Sequence, residues 1–282
     1  MDHPWSPSGL TADAVVDELA SRVAAAAFFG SGDGAARVFV GVAGSPGSGK
    51  STLAAAVRDR VNAAAGAPVA VVFPMDGFHY PRAALADFPD PDEARRRRGA
   101  PWTFDADAFV AAVAEARANR DAVTRVPEFD HEVHDPEPGK IAIEPTHKIV
   151  LVEGNYLLLN DLPWRRLWDP DADGRAATTS EEEEGRLSSE EGEKGSRERE
   201  DPGNDDGVNE TGALLDETWF VDASLDVAMR RVSARHVAVG RTEAEAKERV
   251  DGNDRINGEL VIGESRANAD VLVPAHERTP EE

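Results

Sequence analysis

Residues 44–51, Gly-Ser-Pro-Gly-Ser-Gly-Lys-Ser, match the spacing G-x-x-x-x-G-K-[ST] at all four fixed positions. The residue types answer to one kind of chemistry. Glycines let backbone N–H groups turn inward and approach phosphate oxygens with no Cβ in the way. The free N–H groups and the positive dipole end of a following helix add anion affinity. At these positions Lys50 reaches β- and γ-phosphates and the Ser51 hydroxyl ligates Mg²⁺. Gly44, Ser45, Pro46, Gly47, Ser48, Gly49, Lys50, Ser51 and Thr52 are therefore the candidate nucleoside triphosphate site.

Further along the chain lie acids and bases able to serve a bound phosphate. The apolar run Val69–Met75 ends in Asp76, and Ile149–Val152 ends in Glu153-Gly154. Acids ending buried parallel strands fall in the crevice where α/β sheets bind ligands. Glu153 is placed as a metal-holding carboxylate of the Walker B kind. Asp76 either accepts the proton of a substrate hydroxyl or caps a helical turn. Arg95-Arg96-Arg97-Arg98 either hold an anionic substrate or form a solvated basic helix face. The stretch 127–136, Pro-Glu-Phe-Asp-His-Glu-Val-His-Asp-Pro, reads as a substrate-binding loop, because its histidine spacing matches no closed zinc set. Arg231 and Arg235, four apart on one helix face, can reach over phosphates together or pair with an acidic exterior.

These residues need elements to carry them. Val38–Val42 reads as a buried strand leading into the glycine loop, and 51–64 as the helix after it, with Leu53, Val57 and Val61 at helical spacing. Helices are expected over 11–29, 105–119, 225–239 and 242–250, the last with Thr242 and Glu245 as a capping box. Strands are expected over 69–76, 123–129, 148–154, 217–222 and 269–273, with turns at Asn253-Asp254 and Asn257-Gly258. Trp164 and Trp168 are expected to cover an edge of the core. The alternation predicts one α/β domain over 1–282, a doubly wound, mostly parallel sheet. Residues 170–215 break the pattern. Residues 181–210 alone carry 13 acidic and 4 basic side chains, too little apolar matter to offset ordering entropy. A disordered acidic insertion is expected there.

Composition narrows the class. A net charge of −23 over 282 residues argues against a nucleic-acid surface. No cysteine is present, which excludes disulfides and thiolate chemistry. No run approaches the ~18 apolar residues of a membrane span, and no basic-then-apolar leader opens the chain. A cytoplasmic protein is expected, with no membrane partner.

The motifs together resemble the phosphoribulokinase, uridine kinase and pantothenate kinase group of P-loop kinases, above all its nucleoside/nucleotide-kinase-like branch that includes the yeast YFH7-type proteins. The resemblance rests on 44–52, Pro74-Met-Asp-Gly-Phe-His-Tyr80, Arg97-Arg-Gly-Ala-Pro-Trp-Thr-Phe-Asp105, 126–135 and Val150-Leu-Val-Glu-Gly-Asn-Tyr156, extended by 231–240 and Asn253-Asp254. It implies a small helical lid, ATP and Mg²⁺ as cofactors, and transfer of the γ-phosphate to a hydroxyl of a nucleoside, sugar or pantothenate-like acceptor. Asp76 is then the base, Lys50, Arg231 and Arg235 stabilise the transferring group, and Ser51 and Glu153 hold the metal. His79, Arg98, Phe129, His131 and His134 surround the acceptor. Residues 129–134 match neither the uridine kinase nor the pantothenate kinase wording, so the acceptor stays open, as does a homodimer. The other reading is a nucleotide-driven switch working on a protein partner, with the acidic insertion as its docking arm.

Overall fold

Long apolar runs with few polar interruptions make strands that must be covered on both faces, and they dominate the molecule. The computed structural model describes residues 4–29, 37–130, 133–173 and 212–275. Along the chain come α1 (Ala12–Phe29), β1 (Val38–Ala43), α2 (Lys50–Ala65), β2 (Ala70–Pro74), α3 (Pro91–Arg96), α4 (Ala106–Ala118), β3 (Thr124–Asp130), β4 (Asp135–Ile143) and β5 (Ile149–Gly154). After them follow β6 (Glu217–Asp222), α5 (Leu225–Ala238), α6 (Glu243–Arg249), α7 (Arg255–Ser265) and β7 (Val271–Pro274). Five strands form a parallel sheet in the order β2-β5-β1-β6-β7.

Alternate residues of each strand feed two cores. Val40, Val42, Leu151 and Trp219 pack with Val57 and Val61 of α2 and with Val15, Leu19 and Val23 of α1. Phe39, Phe73, Val150, Val152 and Phe220 pack with Phe109 and Val113 of α4 and with Val261 of α7. Helices therefore cover both faces, as a doubly wound sheet requires. Trp164 is buried in the second of these cores and Trp168 packs against it. Helix starts follow their local signals: Asp105 accepts from the Ala108 N–H at 3.0 Å, and Thr242 and Glu245 form the expected capping box.

Register does the positioning. Glu153 pairs with Val42 on one side and with Pro74 on the other, so the ends of β1, β5 and β2 lie level. Gly154 lets the next turn close over this edge. A Cβ there would come within 2.6 Å of Met75 Cβ, which seats the 3₁₀ turn Met75–Phe78 against β5.

Three expectations need correction. The strand expected at 123–129 is β3, but it stays out of the main sheet and pairs antiparallel with β4. β4 matches none of the expected strands, and only its first two residues fall in the loop expected at 127–136. Its sequence carries Pro136, Pro138 and Gly139 and mostly exposed or half-buried side chains, so a solvated two-stranded ribbon leaves little apolar periodicity to read. The turns expected at Asn253-Asp254 and Asn257-Gly258 are helical. A π-helical turn, Val250–Asp254, joins α6 to α7 without a break. Asn253 and Asn257 are buried and hydrogen-bonded there, so side-chain partners satisfy residues that usually favour turns. Residues 174–211, the bulk of the expected acidic insertion, lie outside the described residues.

Candidate active site

The loop after β1 is shaped for a phosphate chain. Gly47 sits at φ +80°, and a Cβ on it would meet the Ala228 carbonyl and lie 2.8 Å from Val232 Cγ2, both on α5. Only glycine allows the loop to run this close to that helix. Among the described residues the Ser45 and Ser48 hydroxyls are buried with no hydrogen-bond partner, an unsatisfied polar lining that fits phosphate oxygens. Arg231 donates from Nη1 to the Ser48 carbonyl at 3.2 Å and lies 3.4 Å from that of Gly47, tying α5 to the loop. Arg235, one turn further on, stands exposed.

Lys50 Nζ lies 3.6 Å from Glu153 Oε1. Glu153 is buried, and burial pushes its carboxyl above the usual range. The Lys50 ammonium and a hydrogen bond from Ser51 pull the other way, while the nearby Asp76 charge adds to the rise. Lys50, Ser51, Glu153 and Asp76 thus form one electrostatic cluster at the carboxyl ends of β1, β5 and β2. The residue types suit a divalent cation held by a hydroxyl and a carboxylate beside a phosphate-binding lysine.

Across Asp76 lies an aromatic wall. His79 Nδ1 donates to the Asp76 carbonyl at 2.8 Å. Its ring stacks on Phe104 with centroids 3.9 Å apart and faces Phe129 at 4.9 Å. Burial holds its imidazole below the ordinary histidine range, with the Asp76 charge opposing. His79, Phe129 and Asp76 are therefore brought together.

Arg98 is placed differently. Its Nη2 donates to Asp135 Oδ1 at 2.7 Å and to the Tyr80 carbonyl at 2.9 Å, and its Nη1 to the His134 carbonyl at 2.6 Å. Its guanidinium also lies 5.6 Å from the Phe129 ring. Arg98 staples the β3–β4 ribbon to the wall. His134 is exposed in the left-handed region, φ 58°, and His131 lies outside the described residues.

The arginine run divides by partner. Arg95 and Arg96 pair with Asp92 and Glu93 on the exposed face of α3, whereas Arg97 and Arg98 turn inward. Arg97 donates from Nε to Asn253 Oδ1 at 2.9 Å and from Nη2 to Asn257 Oδ1 at 3.1 Å. Asn253, Asn257 and Arg249 donate in turn to the carbonyls of Arg98 and Gly99, and the buried Tyr156 hydroxyl donates to Gly99 as well. Burial raises the Tyr156 hydroxyl far above the phenol range. Tyr156 and Asn253 stand in motifs that carry the family resemblance, but the sequence alone puts neither them nor Asn257 in this cluster. The i, i+4 spacing of the two asparagines was the available signal, obscured by their turn preference.

A cavity of about 930 Å³ opens beside the loop, lined in part by Thr52, Ala56, Arg230, Val273 and Pro274. A second, of about 570 Å³, lies at the amino ends of β6 and β7. Its acids are already engaged: Asp216 with Arg117 and Asp270 with Thr218. Ligands of such sheets bind at the carboxyl ends, which favours the first cavity. Among the described residues no helix is long and apolar enough to cross a membrane.

No family model matches the chain. It is 36% identical over 223 residues to a Schizosaccharomyces pombe protein named "Putative uridine kinase C227.14", covering 78% of this chain and 76% of that one. It is 31% identical over 209 residues to the ATP-dependent kinase-like protein notR' of Aspergillus versicolor, covering 72% and 95%. The fold matches that of YFH7 from Saccharomyces cerevisiae, with a TM-score of 0.67, 20% identity and coverage of 95% and 100%. A glycine loop between β1 and α2, a buried carboxylate beside its lysine and these relatives lead to one assignment: the chain belongs to the P-loop kinases of the phosphoribulokinase, uridine kinase and pantothenate kinase group.

Proposed function

We infer that the protein transfers the γ-phosphoryl group of ATP to a hydroxyl of a small-molecule acceptor. The observation that carries this reading is Asp76, a half-buried carboxylate on the turn after β2, in electrostatic contact with Glu153 and next to the His79 wall. A nucleotide switch has no use for a carboxylate between a phosphate loop and an aromatic wall. A kinase needs one to orient and deprotonate the acceptor hydroxyl.

The chain's own groups divide the work. The loop N–H groups and the Ser45 and Ser48 hydroxyls cradle the phosphates. The cavity by Thr52, Arg230 and Pro274 takes the nucleoside. Ser51 and Glu153 would hold Mg²⁺, which when bound neutralises charge on the β- and γ-phosphates. Lys50 and Arg231, both beside the glycine loop, stabilise negative charge on the transferring group. The helices α5 and α6 act as the lid, with Arg231 as its contact to the loop and Arg235 brought in on closure, which excludes water as a competing acceptor.

The test is ADP formation from Mg·ATP with a panel of nucleosides, sugars and hydroxy acids, each with wild type and Asp76→Asn. Stimulation by one chemical class, abolished in the variant, is expected. ADP release at one rate whatever is added would instead favour the switch reading.

A further inference from the structure

The first turn of α7 touches both halves of the site. A Cβ on Gly258 would lie 3.8 Å from Ser45 Cβ in the glycine loop and 2.8 Å from Leu225 Cδ1 of α5, so the helix backbone runs against both. One residue earlier, the buried Asn257 reaches the segment 97–105 instead. Its Nδ2 donates to the Gly99 carbonyl at 3.2 Å, and its Oδ1 accepts from Arg97 Nη2 at 3.1 Å. The helix itself is rooted in the core through Val261.

From Gly99 a short run of bonds leads to Asp76. The Gly99 N–H donates to Thr103 Oγ1 at 2.9 Å, and that hydroxyl donates to the Ala100 carbonyl at 2.8 Å. Thr103 is fully buried. Its carbonyl accepts the Tyr80 N–H at 3.0 Å, and the Asp105 N–H donates to the Phe78 carbonyl at 2.9 Å. Between these two bonds His79 stacks on Phe104 and holds the Asp76 carbonyl from its backbone N–H, at 3.2 Å, and from Nδ1, at 2.8 Å.

A buried amide and a buried hydroxyl cost free energy unless every polar atom finds a partner. What they add over apolar side chains is direction, because each fixes its partners to hydrogen-bond geometry. Gly99, their shared partner, sits at φ +102°, where a side chain would be strained.

We propose that Asn257 and Thr103 are positioning residues for phosphoryl transfer: through the segment 97–105 they fix Asp76 relative to the glycine loop, with α7 as the common post. This rests on the kinase reading above. The loop carries the donor phosphate and Asp76 the acceptor hydroxyl, so their separation sets the in-line geometry. A nucleotide that tightens the loop against α7 therefore also tightens the turn that carries Asp76.

The experiment uses the full chain and two readouts. One is amide hydrogen exchange with and without a non-hydrolysable ATP analogue and Mg²⁺. The other is ADP formation from Mg·ATP with pooled nucleosides, sugars and hydroxy acids. In wild type the analogue is expected to slow exchange in the glycine loop. It should also slow it by about fivefold or more over 76–80 and 99–105, the scale of a modest coupling between sites. In Thr103→Val, which keeps the shape without the hydroxyl, protection should stay in the loop alone. Acceptor-stimulated turnover should fall about 10–100-fold with KM for ATP unchanged, and Thr103→Ser should restore both readouts. Protection confined to the loop in wild type, or a Thr103→Val protein that matches wild type in either readout, overturns the proposal. If Thr103→Val does not fold, Asn257→Asp decides by the same readouts, since it still accepts from Arg97 but has no hydrogen to give Gly99. Failure of wild type to bind the analogue or to respond to the pool sinks the kinase reading instead.

Discussion

At the scale of single residues, the site is a matter of which groups keep their charge. Glu153 is costly to ionise where it lies, and Lys50 offsets that cost from 3.6 Å. Lys50→Ala therefore removes a phosphate ligand and leaves a buried carboxyl that will take up a proton. Turnover is expected to fall to background while circular dichroism stays native; retained activity would refute the phosphate role. Asp76→Asn keeps the shape and loses the base, so kcat is expected to drop by ~10²-fold or more with nucleotide affinity unchanged. The histidines set an acid limit. His79 and His147 both titrate below the ordinary 6.5, chiefly through burial, and His147 Nδ1 accepts the Glu144 N–H at 2.8 Å, a bond that protonation breaks. Because the unfolded chain binds these protons first, stability is intact above about pH 6.5 and declines as pH falls through that value toward the lower folded values. Melting curves between pH 7.5 and 5.5 should show the decline, and His147→Gln should flatten it. An unchanged slope would place the acid sensitivity elsewhere.

At the scale of elements, close approaches decide what the site can do. The glycine loop touches α5 because Gly47 has no side chain. Gly47→Ala is expected to push loop and helix apart and to weaken nucleotide binding by about tenfold or more, since strain of this kind costs ~1–3 kcal/mol. Calorimetry with ATP would register it. The turn carrying Asp76 rests on α4 through Phe78, which meets Phe109 edge-on at 5.2 Å, and Phe109 also meets Phe73 at 5.6 Å. Phe109→Ala empties the middle of that cluster. A loss of ~3–5 kcal/mol in urea denaturation is expected. A cost under about 1 kcal/mol would mean that the turn is supported in another way.

At the scale of the molecule, the parallel sheet tolerates a long excursion because its two flanks already meet. Leu214 and Leu215 donate to the Leu167 carbonyl at 3.0 and 2.8 Å, and Gly212 lies against Pro170. Replacing 174–211 by a short Gly/Ser link should shift the melting temperature by no more than roughly 4 °C, because loop-closure entropy changes slowly with length. A cooperative loss of structure on excision would make the segment part of the fold. The charge of −23 belongs to this scale also: it disfavours a polyanion surface, so a site for an anion has to be built from oriented local cations.

The sequence by itself marked the glycine loop, the acids Asp76 and Glu153 at or just past strand ends, and the chain order of the five main-sheet strands with the helices between them. These signals are local: a run of β-branched residues, a glycine spacing and a helical period span only a few residues each. The tertiary structure decided the partners of the inward-turned arginines and the register that brings the strand ends level. Arg98 is committed to Asp135, 37 positions away, and Arg97 to asparagines 156 and 160 positions away. No local pattern carries such pairings. They follow from the helical run of Asn253 and Asn257, where long-range hydrogen bonds outweighed the turn preference of the residues.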